Sequence, residues 1–179
     1  SDFNDTVETV SRLKQEGFYP IPHFAARSIE SEKILEEGLE RLKEEADTTE
    51  ALLIGGGVDN PLGPFSASIE VLRTGLFDKY GFKKIGVAGH PEGSPDITPQ
   101  ECAQAIQEKN DFSCHTDADL YLATQFLFEA EPLFKWEKAI RSQGNELPIH
   151  VGIPGLATIP TLMRHARQCG VGPSVRFLK

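Results

Sequence analysis

Two kinds of stretch alternate along this chain: apolar residues at helical spacing, and short runs in which apolar residues follow one another. Val7, Val10 and Leu13 predict a helix that Gly17 ends, with Asp5 and Glu8 placed as its capping pair. "FYPIPHFAARS" reads as extended, because its two prolines exclude helix. Ser31 to Ala46 is a charged amphipathic helix with Leu35, Leu39 and Leu42 as its seam. "ALLIGG" is a buried strand, and Ser66 to Tyr80 a helix closed by Gly81. "KKIGVAG" is the next strand. "TPQECAQAIQEK" follows as a helix, with Thr98 as cap, Pro99 first and Glu101 third. "DLYLATQF" is a strand, Pro132 to Gln143 a helix stopped by Gly144, "LPIHVGI" a strand, and Thr158 to Gln168 a helix before Gly170.

Strand onsets near 19, 51, 84, 119 and 148 lie one βα unit apart. Strands with little polar alternation between helices imply a parallel α/β sheet. Crossovers in one direction would give a (β/α) barrel, and a reversal would give a doubly wound sheet; periodicity leaves both open. Five strands and six helices fall short of the eight strands of a closed barrel. The expectation is therefore a single α/β domain over 1–179, incomplete as a barrel. Its helix-first, helix-last order further predicts an internal piece of a longer chain, or a sheet completed by another chain. Open strand edges would favour a homo-oligomer.

Composition narrows the class. Apolar content of 39%, charged content of 25%, a net charge of −9 and a pI near 5.0 fit an ordinary globular protein and disfavour a nucleic-acid partner. Cys102, Cys114 and Cys169 form no C-x-x-C pair, as expected of free thiols in a reducing compartment. No signal peptide is evident, and no apolar run approaches the ~18 residues of a membrane span. A cytoplasmic protein without membrane contact is expected.

Parallel α/β folds gather their chemistry at the carboxyl ends of strands. The unusual residues fall there: His23 and Arg27, then Gly55 to Gly57 with Asp59 and Asn60, then His90, Pro91, Glu92 and Ser94, then Thr124 and Gln125, then Gly152, Pro154 and Gly155. The triple glycine is no Walker loop, since no Gly-Lys-Ser/Thr follows. Alone it fits a tight turn more readily than ligand approach, and Asp59 could simply cap that turn. His23, taken alone, is more readily structural, and His90 and Glu92 could be loop residues between prolines. No Cys/His set has zinc spacing, so no metal is expected. Gln125 is more telling: an amide in "LATQFLF" must satisfy a donor and an acceptor in apolar surroundings, which suits the edge of a planar heterocycle. Leu133, Trp136 and Ile140 read as core. Glu36, Glu37, Glu44 and Glu45 read as a solvated helix face.

In order, "PHFAARS", "LLIGGGVDNP", "GVAGHPEGSP", "ATQFLF" and "PIHVGIPG" resemble the strand tips of methylenetetrahydrofolate reductases, above all a short bacterial reductase-like subgroup. The resemblance implies a (β/α)8 barrel holding FAD. NADH or NADPH would reduce the flavin, which would then reduce 5,10-methylenetetrahydrofolate to 5-methyltetrahydrofolate for one-carbon and methionine metabolism. It places His23, Gly56, Gly57, His90, Glu92, Ser94 and Lys109 around the flavin, Lys109 at its phosphates. Asp59, turned inward, would tune the ring, and Gln125 would read the pterin edge. The family's arginine is absent from the glycine loop, and its first-strand glutamate matches no residue here, so the chain could be inactive. Two further readings follow: a non-catalytic folate- or flavin-binding paralogue, and a flavin-free tetrahydrofolate-linked methyltransferase.

Overall fold

A computed structural model of the chain describes residues 3–94 and 97–168. Cys169, the helix-stopping Gly170 and Pro95 of the histidine loop lie outside the described residues. The elements are α1 (Phe3–Gln15), β1 (His23–Ala25), α2 (Glu32–Ala46), β2 (Glu50–Ile54), α3 (Ser68–Leu72), α4 (Leu76–Lys79), β3 (Lys84–Gly89), α5 (Pro99–Phe112), β4 (Asp119–Phe126), α6 (Ala130–Ser142), β5 (Ile149–Gly152) and α7 (Ile159–Gln168). Single 3-10 turns follow β1 (Ala26–Ser28) and α5 (Ser113–His115).

The strands form one sheet in the order β1-β2-β3-β4-β5, with parallel pairing. Each strand adjoins its predecessor in sequence, so the crossovers never reverse across the sheet. A doubly wound fold requires such a reversal. The fold is therefore α/β of the (β/α)-barrel type, with five strands among the described residues. Spatial proximity divides the chain into two compact units, Ser1–Val87 with Ser113–Leu120, and Ala88–Phe112 with Tyr121–Lys179.

In the first unit, one parity of strand residues is covered by helices. Phe24, Ala51, Leu53, Ile85 and Val87 are buried, alongside Leu35, Leu39 and Leu42 from the seam of α2. Rings continue this core: Phe24 meets Phe77 edge-on at 5.7 Å, and Phe77 meets Phe82 at 5.0 Å. The Ser31 hydroxyl caps α2 by accepting from the Ile34 N–H at 3.2 Å. Three expectations are corrected here. Asp5 lies inside α1, which already begins at Phe3, so it is no cap. The helix predicted over 66–80 is two short helices, broken where Gly75 takes a left-handed φ of 71°. Glu36 does not merely face solvent: its carboxylate pairs with Lys79 and accepts from the Tyr80 hydroxyl at 3.2 Å. The Asp78 carboxylate accepts from the Thr116 hydroxyl at 2.7 Å and the Asp117 N–H at 3.2 Å, which ties the segment after α5 into this unit.

In the second unit, α5 starts with the predicted capping box. Glu101 accepts from the Thr98 N–H at 2.7 Å, and the Thr98 hydroxyl accepts from the Glu101 N–H at 3.3 Å. Helix α6 lays Trp136 against β3 so closely that a Cβ on Gly89 would come within 2.9 Å of the indole. Arg141 closes the turn into β5 by donating to the Asn145 and Leu147 carbonyls at 2.8 and 2.9 Å. Among the described residues, no helix is long and apolar enough to cross a membrane, and no three His, Cys, Asp or Glu side chains group as metal ligands.

Candidate functional site

The first unit carries the glycine loop. Gly56 needs its glycine twice over: its φ is 94°, and a Cβ there would stand 3.0 Å from the Ala25 Cβ. A Cβ on Gly57 would meet nothing within 4 Å. Arg27 secures this loop, since its N–H donates to the Gly55 carbonyl at 3.0 Å and its guanidinium donates to the Ser66 carbonyl at 3.0 Å and the Val58 carbonyl at 3.5 Å. Arg27 is thus occupied in holding the loop. Asp59 is exposed on this loop.

His23 differs from its expected place. It opens β1 instead of following it, because Pro20 and Pro22 delay the strand to His23 and leave it three residues long. The imidazole lines a groove of about 450 Å³ between α1 and the approach to β1, with Asp5, Thr9, Val10, Leu13 and Ile21. Much of His23 remains solvent-exposed, yet the groove walls desolvate the ring enough to lower its pKa.

The second unit carries the other tips. His90 directly follows β3, and its carbonyl accepts from the Gly93 N–H at 3.0 Å in a turn made possible by the φ of 84° at Gly93. His90, Glu92 and Ser94 are half-buried along this turn. Gln125 stands in a bulge where β4 and β5 shift register between Ala123 and Phe126. The bulge is pinned by the Thr124 hydroxyl, which accepts from the Gly152 N–H at 2.9 Å. Gly152 allows this approach, since a Cβ there would sit 2.7 Å from the Thr124 carbonyl oxygen. The side-chain oxygen of Gln125 accepts from the Phe126 N–H at 3.1 Å, and among the described residues its amide nitrogen has no hydrogen-bond partner.

Lys109 is buried on α5 at 5% exposure, and no hydrogen bond or ion pair holds its amine among the described residues. Desolvation lowers its pKa to about 8. Burial in turn raises the pKa of the Cys102 thiol on the same helix. One arrangement escaped the sequence reading: His150 on β5 stacks on Tyr121 of β4, with centroids 4.1 Å apart.

Comparison with known proteins supplies the family. The family described as methylenetetrahydrofolate reductase matches residues 66–175. The chain belongs to this family. Among its relatives, methylenetetrahydrofolate reductase 1 of Schizosaccharomyces pombe is 31% identical over 111 residues, which is 62% of this chain. The chain spans only 17% of that reductase's length. The match to the methylenetetrahydrofolate reductase family includes His90, Glu92, Ser94, Lys109, Gln125 and His150, whereas His23, Gly56, Gly57 and Asp59 precede it.

Proposed function

We propose that the chain serves the reduction of 5,10-methylenetetrahydrofolate to 5-methyltetrahydrofolate, as an oxidoreductase using FAD and NADH or NADPH. Family membership supports the folate class, and the observation that carries the finer reading is Gln125, an amide held in a bulge with its nitrogen uncommitted. Such a group can donate to an acceptor on a heterocycle edge, and its own acceptor is already satisfied. The residues also suit a flavin. A buried amine at Lys109, with no hydrogen bond or ion pair among the described residues, fits a diphosphate. When bound, FAD would supply the redox step, accepting hydride from the nicotinamide and delivering it to the folate. The chain's own work is to bind and orient: Lys109 holds phosphate charge, the turn from His90 to Ser94 borders the ring, and Gln125 fixes the pterin. Association through open strand edges belongs to the same proposal.

A flavin-free folate-binding paralogue is the second reading, favoured by the exposed Asp59 and by a family match that begins after the glycine loop. Two measurements decide. Visible flavin absorbance after incubation with FAD supports the reductase; protein that stays folded and takes up no flavin rejects it. Under both readings, calorimetry should show tetrahydrofolate binding that Gln125→Ala abolishes. Unchanged affinity in that variant would remove the pterin contact.

A further inference from the structure

The Tyr121–His150 pair is used by none of the contacts above. Tyr121 is buried at 5% exposure, and the imidazole plane lies 27° from its ring plane at 4.1 Å. Stacking of this kind fixes the orientation of the histidine and directs its nitrogens sideways, away from the phenol face. His150 is solvent-exposed, and among the described residues neither ring nitrogen makes a hydrogen bond.

The face on which it stands follows from β4. A Cβ on Gly89 would lie 3.7 Å from the Leu122 side chain and 2.9 Å from Trp136, so Leu122 points toward α6. Alternation then directs Tyr121 and Ala123 to the opposite face. Ala123 is the registered partner of His150, and Gly152 is the next residue of β5 on that face. Neither Ala123 nor Gly152 carries a side chain long enough to cover the imidazole. Gln125 lies two residues past Ala123. A regular ladder would put residues so related about 8 Å apart, and the bulge between Ala123 and Phe126 displaces Gln125 from that place while keeping it on the adjoining strand.

We propose that His150 is a second contact to the ligand's heterocycle, oriented by Tyr121 and bonding the polar edge through a ring nitrogen while Gln125 donates from the other side. The inference rests on the folate reading given above. Its test is calorimetry with tetrahydrofolate and with p-aminobenzoylglutamate, which lacks the pterin. His150→Phe keeps the stacked ring and removes both nitrogens. It should weaken tetrahydrofolate about tenfold, the loss of one good hydrogen bond. Binding of p-aminobenzoylglutamate, flavin uptake and melting temperature should not change. His150→Gln, which restores a donor without the ring, should recover part of the affinity. Equal tetrahydrofolate affinity in wild type and His150→Phe overturns the inference and leaves the folate reading standing. A wild-type protein that binds no tetrahydrofolate overturns both.

Discussion

Lys109 occupies a position that the apolar stripe of its helix reserves for a leucine or isoleucine. Cys102, Ile106 and Lys109 follow one another at i, i+4 and i+7 on α5, and the last two are buried. Desolvation lowers the lysine from its usual 10.5 to about 8. The unfolded chain therefore binds more protons than the folded one between those values, and folding gains from rising pH across that window. Below about pH 8 the whole penalty is present, roughly 3 kcal/mol by the conversion of pKa into free energy. Lys109→Met should therefore raise stability by up to ~3 kcal/mol at neutral pH, with the gap to wild type closing by about pH 10.5 in denaturant titrations. The same variant should lose flavin affinity under the proposal that this amine holds the flavin's phosphates. A stability gap that ignores pH would show that the amine reaches water. At this scale the sequence was partly legible. Gln125 stood out because an amide in an apolar strand is anomalous on its face. Lys109, set in "QEKND", looks like an ordinary solvated lysine and was visible only through the family resemblance. His150 could not be seen, because its meaning depends on a stack with a residue on the neighbouring strand, and register is not written in either strand alone.

Among the elements, β4 was read to the residue, and the cap at Thr98 holds because it needs only its own next few residues. The helix over 66–80 was misread for an instructive reason. Ile69, Leu72 and Leu76 keep helical spacing across the break, so the periodicity runs on while Gly75 changes the backbone direction. Strand β1 was overextended because proline positions suppress helix without saying where pairing begins. The glycine loop, left open between turn and ligand approach, divides by residue. Gly56→Ala forces a side chain into left-handed backbone and against Ala25, and should cost about 1–3 kcal/mol. Gly57→Ala enters open space and should change the melting temperature little, while weakening flavin uptake if a ring passes there. Thermal melts and flavin titration of the two variants separate these roles; a Gly57→Ala protein with full flavin affinity would leave the loop as a turn alone.

For the molecule as a whole, the order β1-β2-β3-β4-β5 leaves one side of β1 and one side of β5 without a strand neighbour among the described residues. Unpaired edges are templates for pairing unless charge or proline blunts them. Near β1, Pro20 and Pro22 supply some protection, yet Phe18 and Tyr19 are 61% and 71% exposed. At β5 the protection is weaker, with Val151 and Ile153 exposed at 45% and 79%. What opposes association is the net charge of −9, which acts between whole copies and is screened within about 10 Å at 0.1 M salt. Self-association should therefore strengthen with ionic strength, opposite to the response of a complex held by ion pairs. Val151→Lys should reduce it at every salt concentration by placing a charge on the edge. Sedimentation velocity at low and high salt reads both effects. A monomer at all salt concentrations, or association indifferent to Val151→Lys, would show that these edges do not join copies of the chain.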